Sequence, residues 1–179
     1  MCNFLRVNNM RSIVIFFLTL FGGFSASAQH ALDFGLGASV NVGLQNEWAV
    51  QLKSQYHFNE KWSLFADYNL FFRRDVNTQN TEKYHEIALG GSYHVIHYQS
   101  IKIYTGLAYV FNDFPIQENN PDTSSLYKNS GTVNHLAKIQ LLGTLPLGEK
   151  VLLFSEINLK SAGRRYDTFS FGLIYRLNS

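Results

Sequence analysis

At 179 residues the chain is sized for a single domain. Charged residues make up 16%, hydrophobic residues 46% and aromatics 15%; against the roughly 25% charged of ordinary soluble domains this excludes a disordered chain, a coiled coil and a collagen, and argues against a helical soluble enzyme. The formal charge of +2 belongs to the first segment.

Residues 1–28 read as a secretory signal peptide. Arg6 and Arg11 give a positive start, the stretch from Ile13 to Phe21 is apolar, and Ala26-Ser27-Ala28 supplies a small-x-small cleavage pattern before Gln29. The apolar stretch is well short of the ~20 residues of a spanning helix. Without the two leader arginines, Lys and Arg fall from 15 to 13 and equal the 13 Asp and Glu. No basic excess remains for nucleic acid. Cys2 departs with the leader and precedes the apolar stretch, so neither a disulfide nor a lipid-anchoring cysteine is expected.

From residue 29 to 179 the dominant period is two. A first strand carries Leu32, Phe34, Leu36, Ala38, Val40 and Val42 on one face and Asp33, Gly35, Gly37, Ser39 and Asn41 on the other. A second sets Trp48, Val50, Leu52, Tyr56 and Phe58 against Gln51, Lys53, Gln55 and His57. A third sets Trp62, Leu64, Ala66, Tyr68, Leu70 and Phe72 against Ser63, Asp67 and Asn69. Parity then switches: Ile87, Leu89, Tyr93 and Val95 alternate with Glu86, Ser92 and His94. A fifth strand has Ile101, Ile103, Leu107, Tyr109 and Phe111 against Lys102 and Tyr104. The last three oppose Val133, Ala137, Ile139 and Leu141 to Asn134, Lys138 and Gln140; Val151, Leu153, Ile157 and Leu159 to Glu156, Asn158 and Lys160; and Phe169, Phe171, Leu173, Tyr175 and Leu177 to Thr168, Ser170, Gly172 and Arg176. Short connections at Asn59–Lys61, His97–Ser100 and Pro146–Lys150 interleave with longer ones, above all Arg73–Glu82 and Asn112–Ser130. Pro115, Pro121 and Pro146 all fall in connections, where a missing N–H breaks no ladder.

A soluble β-sandwich or a lipocalin-like barrel has the same period with its apolar face inside. Three features decide against both: a polar face poor in charge for a solvated surface, an apolar face rich in rings and leucine along full strands, and aromatics gathered toward strand ends, as at the two membrane–water interfaces. In lipid every backbone group must be paired, so the sheet must close. The expected fold is all-β: an eight-stranded antiparallel up-and-down transmembrane β-barrel whose narrow interior is filled by side chains. Inward charges then need partners. Lys53, Lys102, Lys138, Lys160 and Arg176 face Asp33, Asp67, Glu86 and Glu156 and form a polar plug.

The eight alternating strands, the leader and the alternation of short and long connections resemble the small outer-membrane barrels of the OmpA/OmpX type. The last strand, Ser170-Phe171-Gly172-Leu173-Ile174-Tyr175-Arg176-Leu177, resembles their barrel-assembly signal. Such proteins often end on an aromatic residue, whereas this chain ends Leu177-Asn178-Ser179. The resemblance implies a Gram-negative outer membrane, biogenesis by the barrel-assembly machinery, and termini and short turns on the periplasmic side. No added periplasmic peptidoglycan-binding domain is expected.

Candidate chemistry is sparse. Lipid-A deacylases pair a histidine and a nearby serine with a carboxylate, but His135 is followed by Leu136-Ala137. Ser92, His94 and Glu86 share the inward face, where lumen hydrogen bonding is the expected role. His94 and His97 have a ligand-like spacing, yet strict alternation sends them to opposite faces. His85 and His135 fall on the lipid-facing parity near the loop-bearing rim. Arg73-Arg74 and Arg164-Arg165 are placed just beyond strands at that rim, where guanidinium groups suit lipopolysaccharide phosphates. No catalytic residue, metal site or cofactor is assigned. The expected role is structural and non-enzymatic, with surface loops for interaction; a narrow solute pore and a lipid-A-modifying hydrolase are the alternatives.

Overall fold

The computed structural model describes residues 31–42, 47–74, 81–113, 128–129, 133–161 and 167–177. The leader and Arg164-Arg165 lie outside the described residues. The strands are β1 (Ala31–Asn41), β2 (Glu47–His57), β3 (Trp62–Arg74), β4 (Thr81–Tyr98), β5 (Ile101–Asn112), β6 (Lys128–Asn129), β7 (Asn134–Pro146), β8 (Val151–Lys160) and β9 (Thr168–Arg176).

Eight of these form the barrel wall. Each pairs antiparallel with its sequence neighbour, β1 pairs with β9, and β5 pairs with β7, so the sheet closes. The two-residue β6 lies along β7 beyond the point where β8 ends. A closed ladder leaves no edge, which is what a strand structure in hydrocarbon requires. Several strands run further than the alternation suggested: Arg73 and Arg74 are the last residues of β3, paired with Glu82 and Thr81 of β4, and do not lie beyond it. Backbone pairing continues as long as partners face each other, and charged side chains at a rim do not oppose it.

The apolar parity faces outward on every barrel strand. Leu36, Leu89, Leu107, Ile139, Leu159 and Leu173 are all exposed on the outer surface. Rings mark both ends of the wall. Trp48 stacks on Phe72 at 4.5 Å and Tyr109 meets Phe111 at 4.9 Å on the long-loop side. On the short-turn side Trp62 meets Tyr93 at 4.8 Å and Tyr56 meets Phe58 at 5.2 Å.

The inward side is not uniformly polar. Toward the short turns Tyr104, Leu142, Leu152, Phe154 and Ile174 form a buried apolar layer. Two smaller apolar clusters, one of Ala49, Phe71 and Tyr84 and one of Ala88, Val110 and Leu136, lie toward the long loops. Glycines make room for the large rings in so narrow a cylinder. Gly37 and Gly172 pair across β1 and β9, and a Cβ on Gly172 would stand 2.2 Å from Leu36 O and 2.8 Å from the Phe154 ring. Gly90 leaves the same kind of space for Phe65, whose Cζ would be 2.7 Å from an added Cβ.

Candidate functional site

The middle of the lumen holds a ring of charge. Lys53 on β2 and its cross-strand partner Asp67 on β3 meet at 2.6 Å. Lys53 also reaches Glu156 of β8 at 2.7 Å. Lys138 of β7 bonds the other oxygen of Asp67 at 2.7 Å and lies 3.9 Å from Glu156. Two ammonium groups and two carboxylates thus alternate across the lumen, tying β2, β3, β7 and β8 together. All four side chains are buried to within 1% of full exclusion from solvent. Both lysine Nζ atoms also lie over the Phe65 ring, at 5.2 and 5.1 Å, a cation–π contact that gains strength in a desolvated site.

Carboxamides complete the shell of Glu156. Gln140 donates to Oε2 at 2.7 Å, Asn158 to Oε1 at 2.6 Å, and Gln51 to Oε1 at 3.5 Å. Buried charge is tolerated only with such additional donors, because the desolvation cost otherwise exceeds the Coulombic gain. A second pair lies nearer the long loops: Lys160 Nζ meets both oxygens of Glu86 at 2.7 and 2.8 Å, above the Phe71 ring at 5.2 Å. Glu47, the first residue of β2, is buried at this end opposite Arg73. Toward the short turns Gln55, Ser63 and Ser92 form a hydroxyl–amide cluster, with Ser63 and Ser92 at 2.7 Å.

The remaining inward charges of the sequence reading lie at the short-turn rim, away from the central ring. Asp33 takes Arg176 Nε at 3.6 Å and His57 Nε2 at 3.1 Å. Lys102 is half-buried beside Thr144 and His97, and among the described residues no ion pair includes it. It is the second residue of β5, next to the turn at the barrel mouth.

The serine, histidine and glutamate considered for catalysis are not brought together. The Ser92 hydroxyl bonds Ser63, His94 Nε2 bonds Ile96 O at 3.0 Å, and Glu86 holds Lys160. On the outer surface Tyr68 OH bonds His85 Nδ1 at 2.7 Å, and His135 packs by Phe111 at 5.6 Å. Arg74 is exposed at the long-loop rim and Arg73 half-buried beside it. Among the described residues no group of three or more His, Cys, Asp or Glu is arranged to hold a metal ion.

Parity misplaced one pair. β4 carries a bulge between His94 and Ile96. Val95 and Ile96 both point outward, 52% and 49% exposed, so His94 and His97 share a side, with ring centres 5.9 Å apart. The extra residue of a bulge shifts every later position to the opposite face.

Neither a family model nor a curated protein sequence matches the chain. Solved structures do. The N-terminal β-barrel domain of Pseudomonas aeruginosa OprF superposes with a TM-score of 0.58 at 9% identity, over 84% of this chain and 100% of that one. A de novo designed transmembrane β-barrel gives 0.57 at 12% identity, over 84% and 98%. The Yersinia pestis outer membrane protein Ail, in a phospholipid bilayer nanodisc, gives 0.54 at 10% identity, over 84% and 100%. At such identities the likeness is one of fold. The chain has the fold of the small eight-stranded transmembrane β-barrels found in outer membranes.

Proposed function

We propose that the protein is an integral outer-membrane barrel of a Gram-negative cell, exported by a cleaved N-terminal signal peptide of residues 1–28, with a structural, non-enzymatic role and long loops for surface interaction. The observation that carries this reading is the division of the two faces. A continuous apolar wall is suited to hydrocarbon, and the charges inside are bonded to each other rather than lining an open path.

The plugged lumen disfavours the pore alternative. A solute would have to break the Lys53–Asp67–Lys138–Glu156 ring and then pass the Phe154 layer. The dispersed Ser92, His94 and Glu86 give no support to the hydrolase alternative. Lipid contacts follow from the wall. Arg74, with Arg73 beside it, and Arg164-Arg165 from outside the described residues, are the groups proposed to meet lipopolysaccharide phosphates by charge-assisted hydrogen bonds. The barrel-assembly machinery is the proposed partner during biogenesis, with the strand ending at Arg176 as its signal.

The test is cell fractionation combined with heat-modifiable gel migration. The protein is expected in the outer-membrane pellet, moving differently before and after boiling. A soluble periplasmic protein with one mobility would refute the reading. Planar-bilayer recordings should show no steady conductance, and lipid A should have the same acyl pattern with and without the protein.

A further inference from the structure

We propose that the bulge of β4 builds a two-histidine site for a late first-row divalent metal ion, such as Cu2+, Ni2+ or Zn2+, at the short-turn mouth of the barrel. On a regular strand His94 and His97 would face opposite ways. The unpaired Val95 removes one step of the alternation: His94 pairs with Tyr104 and His97 with Lys102, two positions on the same face of β5. The histidines therefore stand to each other as residues two apart on a regular strand.

The rings have the right separation and one has a fixed tautomer. Two imidazoles sharing a tetrahedral ion, with metal–nitrogen bonds of about 2.0–2.1 Å, bring their ring centres to roughly 5–6 Å. Here the centres are 5.9 Å apart with planes at 54°. His94 Nε2 lies 3.0 Å from the Ile96 carbonyl oxygen. A carbonyl only accepts, so Nε2 carries the proton and Nδ1 keeps the lone pair. A backbone carbonyl holding the second nitrogen is how metal-ligating imidazoles are commonly oriented. The Tyr104 ring packs 5.1 Å from His94 and limits its rotation. His97 is exposed, so an ion has access from the aqueous side.

The surrounding charge is mixed. Lys102, cross-strand to His97, opposes a cation. His57 also packs by Tyr104, with ring centres 6.1 Å apart, and is bonded to Asp33 at 3.1 Å. The protein supplies two ligands, and water or an incoming molecule fills the rest.

The mature chain, refolded in detergent, is titrated with Cu2+, Ni2+ and Zn2+ separately by calorimetry. One equivalent is expected, with Cu2+ tightest, following the usual order of divalent affinities for nitrogen sites. His94→Gln and His97→Gln should each weaken binding by about tenfold or more, whereas His85→Gln and His135→Gln should leave it unchanged. Lys102→Gln should tighten it. In 15N spectra the metal should move the Nδ1 resonance of His94 and leave Nε2 protonated. His97→Gln removes an exposed ring, so gel mobility before boiling should stay that of the folded barrel. Absence of binding to the parent chain would overturn the site, and so would binding that is as tight in His97→Gln as in the parent or is lost in the His85 or His135 variants.

Discussion

The two faces of the barrel wall use the same residues in opposite ways. On the outer face Leu36, Leu107 and Leu173 stand in one apolar sheath, and any residue of similar character would serve. On the inner face Leu136, Leu142 and Leu152 are fitted among charges, rings and glycines, and each position depends on what stands across the lumen. Lipid is a fluid partner that adapts to the wall, whereas the lumen is a packed solid in which one methylene is felt. Outward substitutions should therefore be judged by polarity alone, and inward ones by shape and pairing.

The largest contrast is expected from charge. Asp67→Ala removes the carboxylate shared by Lys53 and Lys138 and leaves two buried ammonium groups with Glu156 alone. Breaking a buried pair from one side costs about 3–5 kcal/mol, so reversible urea unfolding in detergent should shift strongly to lower denaturant. An unchanged midpoint would mean that the ring is not closed in solution.

Next comes polarity on the outer face. Leu36 and Leu173 are register partners across the β1–β9 seam. Lysine at either position should cost about 2–4 kcal/mol near the bilayer midplane and reduce the fraction of heat-modifiable protein in the membrane pellet. Normal insertion of both variants would reverse the assignment of faces.

Shape is tested by a matched pair of glycines. Gly172 faces the lumen, where an added Cβ would meet Leu36 O at 2.2 Å and Gly37 Cα at 2.5 Å. Overpacking of this kind costs about 1–3 kcal/mol, and because both obstacles are backbone, Phe154→Leu should not restore the loss. Gly143 faces lipid, with only Ser155 O at 3.8 Å from its Cβ position. Gly143→Ala should stay within about 0.5 kcal/mol of the parent chain. Equal losses at the two sites would remove the distinction between a packed face and a fluid one.

The smallest effect is expected at the rim. Arg74→Glu should leave unfolding unchanged, since the residue is exposed, while lowering the amount of lipopolysaccharide recovered with the purified barrel. Recovery equal to that of the parent chain would dissociate the arginines from phosphate.

The outer face was readable from residue types alone because lipid imposes one requirement, and parity conveys it from Leu32 to Leu177. The inner face was legible only in part. Its charged residues were recognisable as a set, but their partners depend on strand register and on distances across the lumen. Hence Lys138 finds Asp67, 71 residues away, while Lys102 stays at the rim. The apolar lumen residues Phe65, Phe71 and Phe154 were hidden because they interrupt an alternation whose inward side was expected to be polar. Only the register that sets Gly37 against Gly172 shows why Phe154 fits. The β4 bulge left no mark in the pattern, since Val95-Ile96 looks like any pair of strand residues.

The most direct measurement compares leucine methyl groups on the two faces. With the barrel in lipid nanodiscs carrying a spin label midway along the acyl chain, the methyls of Leu36, Leu107 and Leu173 should relax strongly. Those of Leu136, Leu142 and Leu152 should be spared. Equal relaxation of the two sets, or strong relaxation confined to the second, would contradict a closed wall with lipid outside and a packed lumen within.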